Sequence, residues 1–202
     1  MGIFNPENKF WIFMEKITNL FFLALLWLLF SLPLITIGAS TVACYQFTLK
    51  QIKDEEGYLF KSFFKAFKTS FFQATLVWIV TLLVITFFYY DCFLLFNMPS
   101  LKSFRIFLFA IISFLAIITT IVLIYLYPII ALYKVKLKKA VKDSLIMGLQ
   151  HPLVTIILIL IAALVVTAIY YLPPFFIFWL ILGIFSSSFC FRYVFNTYEE
   201  EL

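Results

Sequence analysis

Long apolar runs along this chain are separated by two short polar stretches, Leu49 to Gln73 and Tyr133 to His151, which together hold ten of its fifteen Lys and Arg residues. About 20 consecutive apolar residues cross the hydrocarbon core of a bilayer. Five stretches reach that length: 17–37, 74–96, 104–126, 153–172 and 175–193. Their apolar residues run on continuously instead of alternating, so the pattern predicts helices and not the strands of a barrel. The predicted fold is all-α: a polytopic transmembrane helical bundle of about five spans, forming a single integral membrane domain over residues 1–202, with amphipathic cytoplasmic linker helices.

Composition agrees with this pattern. Hydrophobic residues make up 65% of the chain and charged ones 12%, against roughly 45–50% and about 25% in an ordinary soluble domain. The 28 Phe residues suit lipid-facing surfaces as well as packed interiors. The net charge of +5 comes almost wholly from the two Lys-rich stretches, so it reads as topology plus attraction to anionic lipid, not as nucleic-acid binding. Cys44, Cys92 and Cys190 are far apart among apolar neighbours and read as buried thiols. Glu7 and Glu15 precede the first span with no small-residue cleavage site after it, so the first span is expected to be retained.

Cytoplasmic loops are enriched in Lys and Arg. Placing both basic stretches inside puts the N-terminus outside, Asn97–Ser103 and Pro173–Pro174 outside, and Arg192 with Glu199, Glu200 and Glu201 inside. Lys9 and Lys16 would then be external, with Gly2–Glu15 as an amphipathic stretch at the interface. The expected arrangement is a membrane crossed several times, with the C-terminus inside.

The first basic stretch has helical order. At 100° per residue Phe60, Phe64, Phe67 and Phe71 share one face, and Lys61, Lys65 and Lys68 lie about 100° round from it. This predicts an interfacial helix with snorkelling lysines, preceded by the charged turn Asp54-Glu55-Glu56-Gly57. A shift of 77 positions lays Lys61 on Lys138, Lys65 on Lys142 and Gln73 on Gln150, and each stretch feeds an apolar span. The echo suggests two parallel helix–linker–helix units, 17–96 and 104–172, with a fifth helix appended.

Groups able to carry chemistry are scarce. Asp91 is the one ionisable candidate inside a span; an interfacial carboxylate among Tyr89 and Tyr90 is the simpler reading, a functional intramembrane carboxylate the alternative. Proline in a helix frees the carbonyl four residues earlier, so Pro33 would free that of Leu29 and Pro128 that of Ile124. Ser31, Thr36, Gly38, Ser40 and Thr41 surround the first break and either line a pathway or let helices approach closely; Gly183 and Ser187 repeat that small-residue spacing. His151 is the single histidine, which leaves no two-histidine metal site within the chain, and no phosphate loop or nucleophile elbow is present. No catalytic residue, metal or cofactor is expected, and the chain is not expected to be an enzyme.

The run Leu32-Pro33-Leu34-Ile35-Thr36-Ile37-Gly38-Ala39-Ser40-Thr41, followed by Glu56-Gly57-Tyr58, Phe63-Phe64-Lys65-Ala66-Phe67-Lys68 and Phe71-Phe72-Gln73, resembles the YesL-like family of small bacterial membrane proteins, defined by a domain of unknown function. Members are often encoded near carbohydrate-uptake transporter components and sensor kinases, so the resemblance implies an accessory role in sugar uptake or its sensing. It carries over no site residues. The residues and the resemblance together predict a non-catalytic accessory or scaffold subunit. Lys61, Lys65, Lys68, Lys138 and Lys142 would meet lipid or a transporter or sensor-kinase component, and self-association is compatible with this. The rival is a small-solute transporter or channel, oligomeric in one version, with its pathway near Pro33, Gly38, Asp91 and Pro128.

Overall fold

The computed structural model describes residues 9–55, 57–97, 105–133 and 135–200. Seven α-helices follow one another: α1 Lys9–Ser31, α2 Ile37–Ile52, α3 Leu59–Asn97, α4 Arg105–Leu132, α5 Leu137–Gln150, α6 Pro152–Tyr171 and α7 Phe176–Glu200. Short 3₁₀ turns at Leu34–Thr36 and Pro173–Phe175 precede α2 and α7. No strand occurs among the described residues. Five helical segments are long and apolar enough to cross a membrane: Phe10–Ser31, Leu59–Leu95, Arg105–Leu132, Pro152–Tyr171 and Pro173–Thr197. The all-α bundle read from the sequence is the fold observed. The connection between α3 and α4, Glu56, Lys134 and the two chain ends fall outside the described residues, and with them most of the loop expected at 97–103 and part of the N-terminal interfacial stretch.

The sequence reading missed α2. Its residues Ala39, Val42, Ala43, Cys44, Phe47, Leu49 and Ile52 are buried, as are Ser40, Thr48 and Gln51. One buried cluster joins α2 to α4, α5 and α7, and a second joins it to α1, the start of α3 and α7. Within a bilayer lipid tails are as apolar as Leu, so helices associate through close packing and hydrogen bonds, and small residues favour that approach. Gly38, Ala39, Ser40 and Ala43 supply the small surface here. Ser40, Thr41, Thr48 and Gln51 dilute the apolar run after 37, yet Ser40, Thr41 and Thr48 hydrogen-bond inside the protein and Gln51 is buried.

Two side-chain pairs define how α2 runs. Trp27 Nε1 donates to Thr41 Oγ1 at 3.2 Å, and Lys16 Nζ meets Asp54 Oδ1 at 2.7 Å. Hence α1 and α2 form an antiparallel hairpin, and the start of α1 lies at the same end of the bundle as the first basic linker. The sequence had placed those two segments on opposite sides; the correction follows from the reversal at Pro33, which splits what reads as one apolar span. Tyr45 pairs with Ser187 at 3.3 Å and Thr48 with Ser188 at 2.8 Å, while Arg192 Nη1 donates to Ile52 O at 2.7 Å, so α2 and α7 run the same way. Tyr133 stacks edge-on against Phe195, bringing the end of α4 to that same end.

The first basic stretch is also more continuous than expected. Nothing between Phe60 and Asn97 breaks a helix, so the linker helix and the following span are one element, α3. Its core-facing side is Leu59, Phe63, Ala66 and Ala74, all buried. Phe60, Phe64 and Phe71 point outward, and Phe30 packs against Phe63, Phe64 and Phe67 at ring-centroid distances of 5.0–5.6 Å.

Candidate functional site

Pro33 and Pro128 behave differently. At Pro33 the helix unwinds instead of kinking, and the freed carbonyls need donors because hydrocarbon supplies none. Thr36 Oγ1 lies 2.5 Å from Phe30 O and 2.6 Å from Pro33 O, and the Thr36 N–H also donates to Pro33 O at 2.8 Å. Trp78 Nε1, on α3, donates to Leu34 O at 2.9 Å. The carbonyls that receive such donors are those of Phe30, Pro33 and Leu34. Pro128 stays inside α4, buried, and leaves the helix whole.

Gly38 lies in the first turn of α2 against α3. A Cβ there would stand 2.5 Å from Ala74 O and 2.7 Å from Trp78 Cβ. The glycine is therefore a packing requirement: two helices meet backbone to backbone. At Gly183 the neighbour is a side chain: a Cβ on α7 would lie 2.6 Å from Val165 Cγ2 of α6.

The interior of the bundle holds a cavity of about 470 Å³. Its floor is α2 and α7, through Thr41, Tyr45 and Ser187; its walls are α4, through Thr120 and Tyr127, and α6, through Ala162. Tyr125 and Thr155 hydrogen-bond at 3.0 Å and pin α4 to α6. Elsewhere those two helices make little direct contact. Val166, on the rim, is 67% exposed, so the cavity opens sideways, towards the surroundings of the bundle. None of the described lining residues carries a charge.

Pro128 flanks this cavity through its neighbour Tyr127. Gly38 lies one turn from Thr41, and Pro33 beyond it. Asp91 does not join them: it is half-buried near the far end of α3. Lys61, Lys65, Lys68, Lys138 and Lys142 are exposed, and none lines the cavity. His151 ends α5 with its ring 6.4 Å from that of Tyr193. Cys44 is buried and Cys92 and Cys190 are half-buried, all three as free thiols.

Sequence reasoning missed the hydroxyl seam between α2 and α7 and the closing of its linker-side end. Arg192 places its charge on the last carbonyl of α2, where the helix dipole favours a cation. Gln51, one residue before, is buried with neither side-chain atom hydrogen-bonded. The signal available in the sequence was Thr41, Tyr45 and Thr48 at three- to four-residue spacing in α2 and the run Ser186-Ser187-Ser188 in α7, weak when only one chain segment is viewed at a time. Outside the membrane-spanning segments, the hydrogen bond from Lys16, then its charge, holds the Asp54 carboxyl below the ordinary range.

No curated protein and no solved structure matches this chain. Residues 20–92, which contain most of α1, the Pro33 break, α2 and most of α3, match the model of the family described as "Protein of unknown function, DUF624", the YesL-like family that the sequence resembles.

Proposed function

We propose that this integral membrane protein is a non-catalytic accessory or scaffold subunit that docks another membrane protein, in the service of carbohydrate uptake or its sensing. The observation that carries the reading is the display of two lysine faces at one end of the bundle. Lys61, Lys65 and Lys68 project from α3 and Lys138 and Lys142 from α5, all exposed. The opposite faces of both helices are held by buried residues such as Phe63 and Ala140. Charges presented on rigid helices suit an acidic protein surface or anionic headgroups. The link to carbohydrate rests on the family resemblance alone.

The same reading places both termini on the cytoplasmic side of a bacterial membrane. With Lys16 beside Asp54, the N-terminal basic residues move to the Lys-rich face, as the positive-inside rule favours. The 16 residues of α2 rise about 24 Å, less than the ~30 Å hydrocarbon core, so the α1–α2 hairpin enters and leaves by one face, leaving α3, α4, α6 and α7 as the full crossings. Cysteine labelling at position 10 and at position 61 in intact cells checks this: both should be protected from an impermeant maleimide, and labelling at position 10 alone would overturn it.

A transporter is the second reading, favoured by the broken helix beside a cavity. A sugar passing through would need many paired polar partners, whereas that cavity is mostly apolar. Photoreactive residues at positions 61, 65, 138 and 142, crosslinked in the native membrane, decide between the two. Recurrent capture of one transporter or kinase component is expected; capture of lipid and self alone would overturn the accessory reading.

A further inference from the structure

The gap between α4 and α6 is closed at one end. On the side of the lysine-bearing helices Tyr125 and Thr155 hydrogen-bond across it at 3.0 Å, and Gly148 of α5 packs against Ile121 and Tyr125 of α4. The α6 lining of the cavity begins beyond that closure, at Leu158, and runs through Ala162 to Val166. There the two helices make little direct contact, and their outer surfaces carry exposed Ile117, Leu160 and Leu164. The cavity therefore opens to the side and towards the face of the bundle opposite the lysines.

Depth fixes which part of a lipid can meet it. The 20 residues of α6 rise about 30 Å, the thickness of the hydrocarbon core, and Tyr170 and Tyr171 are exposed at its far end, where interfacial tyrosines belong. At ~1.5 Å per residue, Val166 lies about 8 Å and Leu158 about 20 Å below Tyr171. One leaflet fills about half of the core, ~15 Å. The cavity thus straddles the midplane, which only the methyl-terminal part of an acyl chain reaches. Bulk and polarity narrow the guest further. A volume of about 470 Å³ holds only about one turn of a helix roughly 10 Å across, so a partner's spanning helix does not fit. None of the described lining residues is charged, and Thr41, Thr120 and Ser187 donate their hydrogens to carbonyls of their own helices at 2.8, 2.8 and 2.9 Å. A polar solute would find few partners for the water it gives up. Left empty, the apolar wall would forfeit dispersion contacts, which a thin, flexible hydrocarbon chain restores.

We propose that this cavity seats the methyl-terminal half of one phospholipid acyl chain, drawn from the leaflet opposite the lysines. The headgroup stays at the interface near Tyr170 and Tyr171, and the chain passes between α4 and α6 until the Tyr125–Thr155 closure stops it. The site requires only that the protein spans a bilayer, so its failure leaves the accessory reading standing. The test uses the full chain in phosphatidylcholine vesicles of determined protein orientation. A phosphatidylcholine with a diazirine at the methyl end of one acyl chain is loaded into a single leaflet, and adducts are mapped by mass spectrometry. Loading the leaflet opposite the lysines should label Leu123, Ala162 and Gly183; loading the other leaflet should not, nor should a probe whose diazirine lies beside the ester. Ala162→Trp, on the exposed rim, should lose the Leu123 and Gly183 adducts and keep those on the outward Ile117 and Leu160. Should that variant fail to fold, the leaflet contrast in the wild-type protein decides. Methyl-end adducts confined to outward residues would overturn the proposal. So would equal labelling of the lining from both leaflets, or lining adducts undiminished in a folded Ala162→Trp protein.

Discussion

Two regions of this molecule begin with nearly the same polar pattern and build different structures. In the first, Lys61, Lys65 and Gln73 lead without interruption into a span, and α3 runs unbroken from Leu59 to Asn97. In the second, Lys138, Lys142 and Gln150 lead to His151-Pro152, and the helix divides into α5 and α6. Pro152 lacks the N–H that would continue the ladder, and the residue before a proline is pushed out of the α region; His151 accordingly has φ −116° and ψ 64°. The break is then held from the side, since Thr155 Oγ1 donates to Gly148 O at 2.9 Å and bonds Tyr125 at 3.0 Å. The two regions also meet, because Gln73 Nε2 donates to Val135 O at 3.0 Å. The lysine pattern therefore sets only which face is charged; whether that face is rigidly coupled to a span is decided at His151-Pro152, where the proline interrupts the helix and Thr155 and Tyr125 hold the break.

Exchanging the breakers puts that comparison under strain. Ala74→Pro would remove a helical hydrogen bond in the middle of α3, where Ala74 also touches Gly38, and should cost about 3 kcal/mol or more. Pro152→Ala should change stability by less than about 1 kcal/mol, because Thr155 and Tyr125 keep the division in place. Unfolding midpoints in detergent would read both. Similar losses in the two variants would mean that the proline is not what distinguishes the regions.

The glycines of the two regions give a narrower contrast. At Gly38 an added methyl meets a backbone carbonyl, which cannot turn aside; at Gly148 it meets the branch methyl Cγ2 of Ile121, a side-chain atom that moves by a turn of χ1. Gly38→Ala should destabilise by about 2–3 kcal/mol and Gly148→Ala by about 1 kcal/mol, measurable in the same unfolding assay. A reversed order would contradict the close approach of α2 to α3.

The smallest effect belongs to the ion pair at the turn before α3. Because Lys16 lowers the Asp54 carboxyl in the folded protein, its contribution is complete above the ordinary value of 3.8 and disappears as pH falls through the lowered one. Asp54 is exposed and solvent screens the pair. Stability of the wild type should therefore decline slightly more between neutral pH and pH 3 than that of Asp54→Asn; identical pH profiles would show the pair contributes nothing.

Much of the architecture was legible in the chain. Five apolar runs of spanning length, the absence of strand alternation and the exposed lysines of α3 and α5 follow from transfer free energy and helical periodicity, which act on local sequence. The hairpin did not follow. Ile37–Ile52 carries Ser40, Thr41, Thr48 and Gln51, so a hydropathy window reads it as a fading span or a loop, and only the partners on α1, α3 and α7 make it a buried helix. For the same reason the sequence set the start of α1 apart from the first linker, and Lys16 with Asp54 brings them together.

What the sequence determined by itself is that the chain is a helical membrane bundle with two basic elements, because apolar length and charge need no tertiary contact to be counted. What only the tertiary structure decided is the central place of α2, the cavity beside it and the hydroxyl seam that joins α2 to α7. Those depend on which hydroxyl gives its hydrogen to which neighbour, and such pairings join positions as far apart as Tyr45 and Ser187 that nothing in the linear order connects.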